Sequence, residues 1–217
     1  MRSVLILTAL VAFSLPVLAQ DEPDFLADDL PELMEEAPPL PDAQQEAAAP
    51  PAEKPLKPAE MRAEQLDILF AHLRRPGVSR ERVEQKIWAL WSASDSPTAE
   101  VLLQQAGRAI EGLAPAEAMS ILDRLVGAFP DFAEAWNKRA TLYFMMKRDD
   151  QALKDLEKVL DLEPRHFGAL AGKGMILERQ KKYAAAREAY EQAIAVNPLL
   201  EQVKDALKGL DRLEREI

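Results

Sequence analysis

The 217-residue sequence predicts an all-α protein: an antiparallel helix-pair solenoid, ended by a C-terminal capping helix and preceded by a disordered N-terminal region. Three observations carry this prediction. Two abutting blocks of 34 residues, 133–166 and 167–200, match one another slot by slot, and a fixed period of that length marks a stacked repeat. Apolar residues recur at helical spacing from residue 61 to the C-terminus. Residues 20–60, by contrast, hold nine of the sixteen prolines and twelve Asp or Glu against two Lys. Such a segment buries too little apolar area to offset the entropy of ordering it.

Residues 1–19 read as an export signal. Arg2 gives a short positive start, and Val4 to Leu15 form an apolar run of about a dozen residues, short of the roughly 20 that a spanning helix needs. Pro16 ends the run, and Val17 and Ala19 put small residues at −3 and −1 of a cut between Ala19 and Gln20. A cleaved product is soluble in the periplasm or secreted; an uncleaved one is tethered to the membrane. Residues 20–60 then form a Pro-rich acidic linker, about 35–40 Å in root-mean-square span as a flexible chain. Within it, Leu26, Leu30, Leu33 and Met34 keep helical spacing on an acidic background. The stretch Phe25 to Met34 is either a motif that folds into a groove, its own or a partner's, or solvated linker; Pro31 interrupts the pattern.

Residues 61–98 read as a repeat-like helix pair at the head of the stack. Leu66, Leu69, Phe70 and Leu73 make one stripe; Val83, Ile87, Trp88, Leu90 and Trp91 make the next. Residues 99–132 are a degenerate copy of the repeat, with Leu102, Ala106, Ala118, Leu122, Leu125 and Pro130 in register but Ala109 where a large residue belongs. In the two clear copies Trp136 falls opposite Leu170, Ala140 opposite Gly174, Tyr143 opposite Leu177 and Ala152 opposite Ala186. Leu156 meets Tyr190, Val159 meets Ala193, and Pro164 meets Pro198. Small residues let the two helices of a pair approach, large ones fill the space around that contact, and the proline ends the second helix. Ser79, Ser96-Pro97, Asp131 with Glu134, Asp149 and Asn197-Pro198 mark helix starts. Residues 201–217 form the capping helix, with Leu199, Val203, Leu207, Leu210 and Leu213 facing inward. The expectation is about nine helices: four antiparallel pairs plus the cap.

These slots resemble the tetratricopeptide repeat (TPR) family, which places a bulky residue at repeat position 4, a small one at 8, an aromatic at 11, Ala at 20, an aromatic or apolar residue at 24, Ala at 27 and Pro at 32. The resemblance is clear over 133–200 and weaker over 99–132, and it fails in 61–98, where Glu84 takes position 20. Size, signal and linker are similar to those of small exported bacterial TPR-repeat proteins. The resemblance implies a TPR-like superhelix whose first helices line a concave groove, with ligands meeting positions 2, 5, 9, 12 and 13. Those positions carry Glu134, Asn137, Thr141, Phe144 and Met145 in one clear repeat, and Gly168, Ala171, Met175, Glu178 and Arg179 in the other. The degenerate repeat would add Glu100, Leu103, Gly107, Ile110 and Glu111. A mostly apolar lining with a few polar groups suits an extended peptide or a helix. Family members that clamp a C-terminal carboxylate use a cation with Asn at positions 5 and 9. Asn137, Thr141, Ala171 and Met175 offer no cation there.

Nothing in the sequence points to catalysis. There is no cysteine, and the two histidines, His72 and His166, are too few for a histidine-based metal site. Gly168, Gly172 and Gly174 fit no phosphate-binding fingerprint and read as helix-packing glycines. Asp149-Asp150 reads as a helix start and Asp28-Asp29 as tail; Trp88 and Trp91, three apart on an apolar face, read as core or, alternatively, as a surface anchor for a partner; Met146 reads as core and His166 as a turn residue. Residues 61–217 carry 24 basic and 25 acidic residues, so the net charge of −10 lies in the tail and nothing recommends nucleic acid. The expected function is a non-catalytic protein–protein interaction scaffold, exported to the periplasm, binding a partner's peptide or helix without metal or cofactor. The alternative is a membrane-tethered assembly or regulatory subunit of a cell-envelope complex.

Overall fold

The computed structural model describes residues 57–73 and 79–215, among which the chain forms nine α-helices and no strand. They are α1 (Pro58–Leu73), α2 (Arg80–Ser92), α3 (Pro97–Glu111), α4 (Pro115–Ala128), α5 (Ala133–Met145), α6 (Asp149–Leu162), α7 (Phe167–Arg179), α8 (Tyr183–Val196) and α9 (Glu201–Arg215). The export signal, the linker as far as residue 56 and the motif Phe25 to Met34 lie outside the described residues. The start of α1 overlaps the end of the segment read as linker, because Pro58 opens a helix as readily as it ends one.

One turn, repeated, makes the helix pairs. Leu113, Lys147 and Lys181 have φ of 55°, 58° and 60°, and all fall at the same place in the 34-residue frame. After each of them the chain reaches back five residues: the amides of Ala114, Arg148 and Lys182 donate to the carbonyls of Ala109, Tyr143 and Leu177 at 2.8–2.9 Å. This left-handed turn satisfies carbonyls that the helix end leaves open, and it reverses the chain tightly. Helices α3 and α4, α5 and α6, and α7 and α8 therefore lie antiparallel in contact, and α4 and α6 pass on to the next pair. Helix α5 also touches both α3 and α7, so the first helices of the pairs share an inner, concave side.

Packing within a pair follows small against large. Ala106, Ala118, Ala140, Ala152 and Ala186 are sealed inside, with Leu122, Leu156 and Tyr190 filling the remaining space. Gly174 lies directly on the Tyr190 ring: a Cβ at 174 would stand 3.0 Å from Cγ and closer still to Cδ1 and Cε1. Where the preceding repeat has Leu156, Ala140 suffices; the larger ring requires glycine. Buried Asp155 is paired with Arg139, whose Nε and Nη2 donate at 2.8 and 2.9 Å and whose Nη1 reaches Asp123 at 2.9 Å. These bonds raise the Arg139 pKa further above its already high ordinary value.

Several local expectations change in the structure. Ser96 caps α3, accepting from the Ala99 amide at 3.4 Å, with Pro97 behind it, but Ser79 makes no side-chain cap bond. Phe132, not Asp131, precedes α5, because the Glu134 carboxylate turns inward instead of back toward the helix start. Asp149 sits inside α6 and pairs with Arg179. Asn197 ends α8, its Oδ1 accepting from the Leu199 amide at 3.0 Å, and α9 begins only at Glu201. Met146 is 43% exposed rather than core, since the turn after α5 carries it outward. In α9, Val203 and Leu210 are buried and Leu207 is partly so, while Leu213 runs past its support and is 39% exposed.

The largest departure is at the N-terminal end. Helices α1 and α2 form an antiparallel pair, but this hairpin does not head the stack as the sequence predicts. Outside the hairpin, α2 makes its main contact with α5, on the concave side, rather than with α3. Its two tryptophans are core residues, as expected, but of a core shared with the last repeat: Trp88 and Trp91 pack on His166 and Phe167.

Candidate binding groove

The concave side is built from the inner faces of α5 and α7, with the hairpin laid across part of it. His166 is its pivot. The ring is fully buried and caps α7, Nδ1 accepting from the Ala169 amide at 3.1 Å. That bond leaves Nε2 to carry the proton, which it donates to Glu134 Oε2 at 3.2 Å. Asn137 Nδ2 donates to the same oxygen at 3.0 Å, and Lys138 Nζ lies 3.6 Å from the other. Burial alone would raise the Glu134 pKa, but the bonds from His166 and Asn137 and the nearby Lys138 charge outweigh it, and the carboxyl is held below its ordinary value.

The hairpin covers this pair. Trp91 stacks on the His166 ring at 4.0 Å with planes 10° apart, and Trp88 meets it edge-on at 5.4 Å. Gly168 makes room for Trp88: a Cβ there would stand 2.7 Å from the indole Cη2. On the other side, Arg165 lies over the Phe70 ring at 4.4 Å and pairs with Asp67 at 2.6 Å.

Beyond Trp88 a cleft stays open, about 460 Å³ including space shared with solvent. Its walls and floor comprise Trp88, Asn137, Ala140, Thr141, Phe144, Leu156, Gly168, Ala171, Gly172, Met175 and Ile176. Six of the ten groove residues read from the sequence thus meet in one cleft: Asn137, Thr141, Phe144, Gly168, Ala171 and Met175. The other four are placed differently. Glu134 is sealed beneath the hairpin, and Met145 is half-buried outside the cleft lining. Glu178 accepts from the Tyr190 hydroxyl at 2.8 Å; burial and that carboxylate push the Tyr190 pKa up. Arg179 lies over the Phe144 ring at 3.9 Å and pairs with Asp149. In the degenerate repeat Leu103 is buried and Glu100 accepts from the Ser94 amide at 2.8 Å.

Trp88 is a wall residue that the sequence placed in the core, with a surface anchor for a partner as the alternative. The available signals were glycine at position 2 of the last repeat and two tryptophans three residues apart on α2. The chemistry of the cleft is that of recognition: apolar surface, one amide and one hydroxyl. Among the described residues no three His, Cys, Asp or Glu could share a metal ion, and no helix is long and apolar enough to cross a membrane.

Comparisons with known proteins agree with this architecture. The tetratricopeptide repeat family matches residues 131–198. A TPR repeat-containing protein of Rhizobium etli is 36% identical over 137 residues, covering 62% of this chain and 67% of that protein. DnaJ homolog subfamily C member 3 of Bos taurus is 30% identical over 103 residues, but this spans only 20% of its length. Among solved structures, the first TPR of Spaghetti (RPAP3), bound to the HSP90 peptide SRMEEVD, superposes with a TM-score of 0.54 at 21% identity, covering 56% of this chain and 96% of that one. MamA superposes with a TM-score of 0.52 at 18% identity, over 74% and 86%. With its 34-residue frame, its three identical turns and a bacterial relative matched over two thirds of that relative's length, this chain belongs to the tetratricopeptide repeat family.

Proposed function

We propose that the protein is a non-catalytic scaffold that binds a peptide or helix of a partner protein on its concave side. The observation that carries this is the cleft between α5 and α7, where Thr141, Phe144, Ala171 and Met175 present apolar surface beside the Asn137 amide. Such a lining suits a side chain inserted from an extended or helical segment. The peptide-bound structure of a similar fold supports the same mode. A carboxylate clamp is not part of the proposal, because positions 5 and 9 hold no cation. Export to the periplasm completes it, supported by Arg2, the Val4 to Leu15 run and the small residues before Gln20. Retention of that run would give the tethered form, and the intact mass of the mature protein separates the two.

The test is photo-crosslinking in cells, with a reactive residue at Met175 in the cleft or at exposed Lys154 on the outer side. A partner captured from position 175, absent at 154, and lost in a folded Thr141→Arg variant is the expected result. Equal capture at both positions would move the site off the concave side.

A further inference from the structure

The hairpin sits where a groove ligand would sit. Glu134 and Gly168, two positions that face ligand in the resembled family, face Trp91, Trp88 and their His166 support instead. We infer that the α1–α2 hairpin is a resident occupant of the concave groove, exchangeable for a partner helix that presents two large aromatic side chains three residues apart on an apolar face. This deepens the reading proposed above and rests on it.

The seat belongs to the solenoid. His166 is fixed by the Ala169 amide and Glu134, and the space for an indole exists because residue 168 has no side chain. The hairpin is joined to the repeats through a single short connection. Leu66, Phe70, Leu73, Val83 and Ile87 are buried in a core shared with the last repeat, but only residues 93–96, which form no helix, join the hairpin to α3. Its fastening is uneven. Trp88, Trp91 and the Phe70 ring beneath Arg165 carry the contact, while the Asp67–Arg165 pair is substantially exposed at both ends, and exposed pairs contribute little. Trp91 Nε1 is buried without a hydrogen-bond partner, a cost that a phenylalanine in the same seat would not carry. The seated helix also shows what the surface accepts: flat aromatic rings at i and i+3, stacked on an imidazole and edge-on to Phe167. An occupant on so short a connection competes at an effective concentration on the order of millimolar. Weak ligands are therefore turned away, and a partner must bind the bare seat well to displace the hairpin.

The experiment uses the full chain and a fluorescent peptide of residues 57–96 as probe, read by anisotropy. Three forms are compared: the native chain, Trp88→Ala/Trp91→Ala, and Asp67→Cys/Arg165→Cys before and after bridging with a short bis-maleimide. The chain has no other cysteine, so the bridge is unique. The expected result is at least tenfold tighter binding to the double-alanine variant than to the native chain, and at least tenfold weaker binding after bridging than before. Equal affinity in all forms would overturn the inference. So would loss of the cooperative melt in the double-alanine variant, which would make the hairpin a fixed part of the core. Crosslinking of a partner from position 175 without probe exchange would leave the groove reading standing and remove the exchange. Probe exchange without any crosslinked partner would do the reverse.

Discussion

Two glycines of α7, two residues apart, respond in opposite directions to the same added methyl group. In a helix interior, alanine is favoured over glycine by about 0.8–1.0 kcal/mol. At Gly172 the new Cβ meets only Leu156, with Cδ1 at 3.6 Å, which is ordinary contact. Gly172→Ala therefore stabilises by about 1 kcal/mol, or roughly 2–4 °C for a domain of this size. At Gly174 the Cβ enters the Tyr190 ring, which is 1% exposed and held by its hydroxyl bond to Glu178 at 2.8 Å. Overpacking of this kind costs about 1–3 kcal/mol and more when nothing can yield. With the ring held, the upper part of that range applies, about 2–3 kcal/mol, so after the helix-propensity gain Gly174→Ala is net destabilising by about 1–2 kcal/mol, or roughly 2–8 °C. Adding Tyr190→Leu recreates the Ala140–Leu156 pairing of the preceding repeat, so the double variant should cost less than the sum of its parts. Thermal melts followed by circular dichroism read all four proteins. Gly174→Ala melting at or above the native temperature, or a strictly additive cycle, would refute the packing account.

Three further outcomes are expected. Replacing Leu113, Lys147 or Lys181 by glycine relieves a left-handed backbone and stabilises by about 0.5–1 kcal/mol each in urea titrations; a loss at all three would contradict the turn assignment. Glu134 has a depressed pKa in the folded chain, so its carboxylate contributes stability above the unfolded value near 4.5, and that contribution fades as pH falls through the folded one. Between pH 7 and pH 3 the urea midpoint of the native chain should fall further than that of Glu134→Gln; parallel curves would show the carboxylate is not held by His166 and Asn137. Arg139→Ala leaves Asp155 buried without its two charged bonds and should cost about 2–3 kcal/mol, with Asp155→Ala in the same chain recovering part of it.

The helices and their pairing were legible because they rest on contacts close in sequence. Ala140 with Leu156 and Gly174 with Tyr190 are each sixteen residues apart, and the period states them twice. Caps were less legible, since a capping side chain is won by whichever partner folding brings near. Glu134 had the spacing to cap α5 but was drawn to His166, thirty-two residues away. The hairpin's location was not legible. An apolar stripe on α2 states that the face must be covered, and the front of α3 and the inside of α5 and α7 both offer cover. What decides between them is the fit of Trp88 to Gly168, a contact that no periodicity encodes. The groove was read in part for the same reason: positions facing inward follow from the repeat, whereas the share of them closed off depends on what lies across.

A repeat stack is ordinarily a linear array, in which each unit answers only to its neighbours and an end can melt without consulting the other. The bond from Arg165 to Asp67 spans 98 residues and closes that line into a ring. With the hairpin seated, the first helices and the last repeat share one core, so contacts distant in sequence join the local ones of the repeats. With the hairpin unseated, the ring opens, and α3 to α9 remain a stack held by contacts between adjacent pairs. The docked hairpin thus adds a long-range tie to a stack whose own cooperation is local.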